Sequence, residues 1–152
     1  MTTPFGDDRP RPQGEALQFM QQLWQLVHAL DVRSKRMARE LGVTGPQRLV
    51  IRIVGQSPEV TAGELAVILG LHPSTLTGIL RRLERQRVLE RVVDPADRRK
   101  QRFRLTASGR EIERARKGTV EAAVRRAMAA REPAEVASTL AIMNALVGEL
   151  GD

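Results

Sequence analysis

A chain of 152 residues is one domain's worth of sequence, long enough to bury a core without disulfides or metal. It has no cysteine and only two histidines, His28 and His72, which excludes thiol chemistry, gives no basis for a zinc site and implies no cofactor. The formal net charge is +7, and residues 73–104 alone hold ten basic against four acidic groups while the other segments are close to balance; such a stretch is either a solvated face or a surface that meets a polyanion.

Residues 1–12 carry acid, Pro and Gly without an apolar run, so they read as a flexible arm and not as a signal peptide. From Gln13 to Leu41 the chain reads as one long helix, with Leu17, Met20, Trp24 and Val27 at spacings of 3, 4 and 3, stopped by Gly42. Thr44 caps a second helix that opens at Pro46 and ends at Gly55. Thr61 and Glu64 have the spacing of a capping box, and the short helix they open, with Leu65, Ala66, Ile68 and Leu69, stops at Gly70. Pro73 opens the next. Two short helices joined by a turn containing glycine are the outline of a helix–turn–helix.

In that second helix Leu76, Ile79, Leu80 and Leu83 make one apolar stripe, and the other face shows Ser74, Thr75, Thr77, Gly78, Arg81, Arg82 and Arg85. Short hydroxyl side chains at the amino end permit close approach to base edges, and arginines one and two turns later suit guanine or phosphate, so the pattern fits a helix set end-on in a major groove. Val88–Val93 is β-rich and Lys100–Leu105 alternates, with Phe103 and Leu105 on one face and Lys100, Arg102 and Arg104 on the other. Asp94-Pro95-Ala96-Asp97-Arg98-Arg99 supplies the turn between them. A two-stranded hairpin with Arg98 and Arg99 at its tip, and Lys100 and Arg102 behind, reads as a wing that probes a minor groove. Thr106 caps a helix running to about Ala130, and Pro133 opens a last one in which Val136, Leu140, Met143, Val147 and Leu150 form a heptad-like seam. Long apolar stripes at both ends of one small domain imply a homodimer.

The segments LAVILGLHPSTLTGILRRLE, DPADRR and LTASG, in this order and spacing, make the chain similar to the MarR family of bacterial winged-helix regulators. The resemblance implies a mostly α fold with a small β-hairpin wing: a dimerisation helix at 13–43, a winged helix–turn–helix DNA-binding domain at 44–105, and C-terminal helices at 106–152 completing the dimerisation domain. It also implies a cytoplasmic homodimer acting as a repressor on a pseudo-palindromic operator in double-stranded DNA. The recognition and wing residues named above would take the family's DNA-contacting roles, with one of Arg98 and Arg99 entering the minor groove and the other pairing with Asp94 or Asp97. Release by a small aromatic or phenolic ligand would involve Trp24 and His28 on the first helix beside Arg48 or Arg52; the alternative for Trp24 and His28 is the dimer core and its edge.

Three departures from the family pattern stand out. His72 replaces a capping Asp before the Pro and reads as a poorer cap, a surface residue. Gly78 replaces a basic residue and removes one base or phosphate contact. Arg87 falls where the turn after the recognition helix usually has Gly, and carries backbone strain if that site needs positive φ. Rival readings are weaker. No Gly-rich phosphate loop, nucleophile–histidine pairing or metal spacing points to an enzyme. A winged-helix module for protein–protein contact has no use for the cationic stretch. Single-stranded RNA calls for aromatic side chains that this surface lacks.

Overall fold

Threonine hydroxyls cap four helices at their amino ends and left-handed glycines close two in the computed structural model, which describes residues 14–151; the arm expected at 1–12 lies outside them. Helix α1 (Glu15–Leu41) ends on Gly42 at φ 76°. Helix α2 (Gly45–Gln56) begins with a complete capping box, Thr44 Oγ1 accepting from the Gln47 amide while the Gln47 side chain accepts from the Thr44 amide. The same reciprocal pair, Thr61 with Glu64, opens α3 (Ala62–Leu69), which Gly70 closes at φ 59°. Helix α4 (Pro73–Arg85) follows directly. Strands β2 (Leu89–Val93) and β3 (Gln101–Leu105) form an antiparallel hairpin in which Arg91 faces Phe103 in register.

Two elements depart from the sequence-based expectation. The sheet has three strands, ordered β1-β3-β2, because β1 (Val60–Thr61) pairs with Phe103 and Arg102 ahead of α3. Two residues are too few to register as an alternating pattern. The helix expected from Thr106 to about Ala130 is two, α5 (Ala107–Arg114) and α6 (Val120–Met128). Gly118 sits at φ 77° and Thr119 caps the new helix, accepting from the Ala122 amide while donating to the Arg116 carbonyl. Helix α7 (Pro133–Leu150) completes the chain.

One core, drawn from residues 43–105, holds the helix–turn–helix to the sheet: Val50, Ile51, Leu65, Leu76, Leu83 and Phe103 are essentially sealed from water. Each such side chain contributes about 1.5–3 kcal/mol on burial. Outside this core the picture inverts. Met37 is the one buried residue of α1, and neither α6 nor α7 has any. Trp24 is 70% exposed, Val147 71% and Leu150 78%, so the stripes read from the sequence lie uncovered in the single chain. Among the described residues no single helix is long and apolar enough to cross a membrane.

Candidate nucleic-acid interface

The apolar stripe of α4 fixes which way its polar face looks. Leu76, Leu80 and Leu83 are buried, so Ser74, Thr75, Thr77, Gly78, Arg81, Arg82 and Arg85 all stand exposed on the opposite side. A Cβ at Gly78 would meet nothing within 4 Å, so the glycine leaves a gap in the face and is not required by packing. At the amino end His72 is more than a surface residue: its Nδ1 accepts from the Ser74 amide at 3.2 Å and so occupies the cap position.

The carboxyl end of α4 closes in a Schellman arrangement, with the Arg87 amide donating to the Glu84 carbonyl at 2.9 Å and the Val88 amide to Leu83 at 3.0 Å. That geometry demands a left-handed residue, and Arg87 takes it at φ 57°, the strain anticipated where glycine is missing. The turn is tied down from the other side by the LTASG segment. Thr106 Oγ1 donates to the Arg87 carbonyl at 2.6 Å, and Gly109 packs so tightly that a Cβ there would lie 2.2 Å from the Val88 oxygen.

In the wing, Asp94 and Asp97 shape the tip. Asp94 accepts from the Ala96 amide at 2.9 Å and Asp97 from the Arg99 amide at 3.0 Å. The second oxygen of Asp94 takes the guanidinium of Arg102 at 3.0 Å, and Arg102 also donates to the Glu59 carbonyl. The Ala96 amide, with Arg102, holds the Asp94 carboxyl below the usual carboxylate range. The expected pairing of Arg98 or Arg99 with one of these acids is therefore corrected. Arg102 is the partner of Asp94 because it lies on β3, inside the hairpin, where its side chain reaches back along the strand. It braces the wing with the guanidinium that was expected on DNA.

Arginines on the sheet neutralise three of the four acids in this stretch: Arg91 with Glu84 at 2.8 Å, Arg104 with Glu90 at 2.6 Å, and Arg102 with Asp94. What remains is Arg81, Arg82, Arg85 and Arg87 on and beside α4, and Arg98, Arg99 and Lys100 at the wing tip. These seven form no ion pair among the described residues, and all are exposed. Folding thus concentrates the excess charge on the helix face and the wing tip, away from the sheet.

The ligand pocket expected around Trp24, His28, Arg48 and Arg52 is not assembled. Arg48 is 1% exposed, and its guanidinium is consumed by the carbonyls of Ile112, Glu113 and Ala115 and by Glu121 at 2.7 Å. Arg52 pairs with Glu113 and lies 3.6 Å from Glu121. Both arginines fasten α2 to the end of α5 and the first turn of α6, where the last carbonyls of α5 attract donors. Partial burial alone would push the Glu121 carboxyl up, but the hydrogen bond and charge of Arg48, with Arg52, hold it below the ordinary value. Trp24 and His28 are exposed on α1. A cleft of about 280 Å³ does lie near this level, between α1 and α6, walled by Leu26, Leu30, Val120 and Val124 with Arg33 at its edge, and none of the four expected residues lines it.

Known proteins share both the sequence pattern and the fold. Residues 41–100, from the end of α1 to the wing tip, match the family model described as MarR family. Over that segment the chain is similar to the MarR family. Over 80 residues it is 31% identical to an uncharacterised HTH-type transcriptional regulator, YsmB of Bacillus subtilis, a match covering 53% of this chain and about half, 55%, of that regulator's length. The MarR fold extends further than the sequence match. The structure of Staphylococcus aureus MepR bound to DNA superposes with a TM-score of 0.71 at 19% identity, covering 87% of this chain and 97% of that one. Streptococcus pneumoniae FabT, also solved with DNA, gives 0.67 at 25% identity over 91% and 99% of the two chains. The architecture is accordingly that of a MarR winged helix, mostly α with a small antiparallel sheet.

Proposed function

We propose that this chain is a sequence-specific, MarR-type regulator of transcription that binds double-stranded DNA as a homodimer. The observation that carries the reading is the set of seven unpaired cations on α4, its closing turn and the wing tip. Helix α4 enters the major groove with Ser74, Thr75 and Thr77 nearest the bases and Arg81, Arg82 and Arg85 on guanine or phosphate. Arg98 and Arg99, on a tip made rigid by Asp94 and Asp97, enter the adjacent minor groove, with Lys100 on the flanking phosphates. The DNA-bound MepR and FabT structures support this arrangement by fold.

The bare apolar faces of α1 and α7 support the dimer. An 18-residue helix with no buried residue has no reason to hold its place in a monomer. A two-fold dimer then reads two half-sites with centres about one helical turn, roughly 10 bp, apart, and represses by occupying the operator. Release by a small aromatic acid draws its support from the apolar cleft between α1 and α6, where Arg33 supplies a cation.

Binding of the full chain to random duplex DNA across a salt series tests the reading. If each protomer neutralises about three or four phosphates, the slope of log K against log salt for the dimer is about −5 to −7. A flat salt dependence, or no binding, refutes it.

A further inference from the structure

We propose that His72 sets the hydrogen-bonding polarity of α4, turning Ser74 into an acceptor that reads only bases presenting a donor in the major groove. The inference deepens the DNA-binding reading and rests on it.

A backbone amide is always a donor, so the contact from the Ser74 amide to His72 Nδ1 makes that nitrogen an acceptor. The neutral ring then carries its proton on Nε2. Ser74 Oγ lies 2.7 Å from the same Nδ1. At that distance a lone-pair nitrogen takes the hydroxyl hydrogen, so Nδ1 receives both the amide and the hydroxyl of Ser74 in a three-centre arrangement. Ser74 has turned its one proton back into the cap, and only lone pairs face outward.

Thr77, three residues on along the same face, is in the same state for a different reason: its Oγ1 donates to the Pro73 carbonyl at 2.8 Å. The hydroxyls at 74 and 77 therefore both offer acceptors. Thr75 makes no side-chain hydrogen bond among the described residues and keeps both roles. Donors come later in the helix, from Arg81, Arg82 and Arg85. In the major groove cytosine N4 and adenine N6 are donors, whereas guanine O6 and N7 and thymine O4 are acceptors. Helix α4 is thus wired with acceptors at its amino end, matching cytosine or adenine, and with arginine donors one to two turns later, matching guanine. A serine without the His72 contact would both donate and accept, and would be indifferent.

The experiment is competition binding of the full chain to duplexes in which each base pair of a selected site is replaced in turn, for wild type, S74A, H72A and H72D. S74A marks the position that Ser74 faces, by losing discrimination there. Wild type is expected to prefer cytosine or adenine over guanine or thymine at that position by about three- to tenfold, the effect of one neutral hydrogen bond. H72A frees the hydroxyl and brings the preference below about twofold, on the same scale. H72D, whose carboxylate accepts from the same amide and hydroxyl, preserves both the cap and the preference.

A preference unchanged in H72A, lost in H72D, or directed to guanine or thymine overturns the proposal. Uniform weakening at every position in H72A, with the profile intact, overturns it too, since that is the signature of a loosened helix alone. A wild-type chain that binds no duplex refutes the DNA reading instead.

Discussion

Arg87 joins a measurable strain to a measurable charge, so one substitution probes both. The Schellman closure of α4 forces its backbone to φ 57°, where the Cβ of a non-glycine residue costs about 1–2 kcal/mol. Replacing it by glycine relieves that cost but returns backbone freedom to the unfolded chain, worth roughly 0.5–1 kcal/mol. The net expectation for Arg87→Gly is a gain of about 0.5–1 kcal/mol, a rise in Tm of about 1–4 °C for a chain of this size. The same substitution removes one of the seven unpaired cations. If Arg87 meets a phosphate, the salt slope becomes shallower by about 0.9 per protomer. Arg87→Ala is the control, losing the cation while keeping the left-handed cost. Melting at one protein concentration for all variants, so that any self-association contributes equally, together with DNA titrations at four salt concentrations, gives both numbers. A glycine variant less stable than wild type refutes the strain assignment. An unchanged slope in both variants removes Arg87 from the interface.

Arg48→Met is expected to destabilise the fold by about 3–5 kcal/mol in chemical denaturation, because it removes the buried guanidinium that donates to the Ile112, Glu113 and Ala115 carbonyls and leaves Glu121 only the longer contact to Arg52. A loss under 1 kcal/mol would show that water replaces it. The folded-state carboxyl of Glu121 titrates below its unfolded value, so the unfolded chain binds the extra proton as pH falls. Its contribution is full above the ordinary glutamate range near ~4.3 and is lost as pH drops through the lowered folded value. Glu121→Gln should flatten that part of the stability profile, and a profile identical to wild type would contradict the assignment.

On DNA, Arg98→Ala with Arg99→Ala should weaken binding on most sequences alike, whereas Arg81→Ala should change which bases are preferred by roughly 1–3 kcal/mol at one position. Equal behaviour of the three would dissolve the distinction between wing and helix. Removal of residues 133–152 should leave monomer or aggregate in sedimentation, and a stable dimer that still binds DNA would show that α7 is dispensable.

Most of the helix framework was legible before any tertiary structure, and for one physical reason. The capping boxes of Thr44 and Thr61, the glycine stops at 42 and 70 and the buried stripe of α4 each involve residues within about two turns. Local chemistry of that reach is written in spacing. The break at Gly118-Thr119 was of the same local kind, but apolar periodicity runs on through it and hides the stop. The two-residue β1 was illegible because its partner β3 lies some forty residues on.

The candidate site divides in the same way. Its location, residues 73–104, and its amphipathic helix follow from sequence alone. Which cations remain free does not, since that depends on pairs such as Arg104 with Glu90, brought together only by the register of the hairpin. Arg48 makes the point most sharply. Nothing in its neighbourhood distinguishes it from a pocket residue, and partners 64 to 73 residues away bury it as a structural clamp. Charge and periodicity are properties of the chain, whereas the pairing of a given charge is a property of the contacts that folding makes.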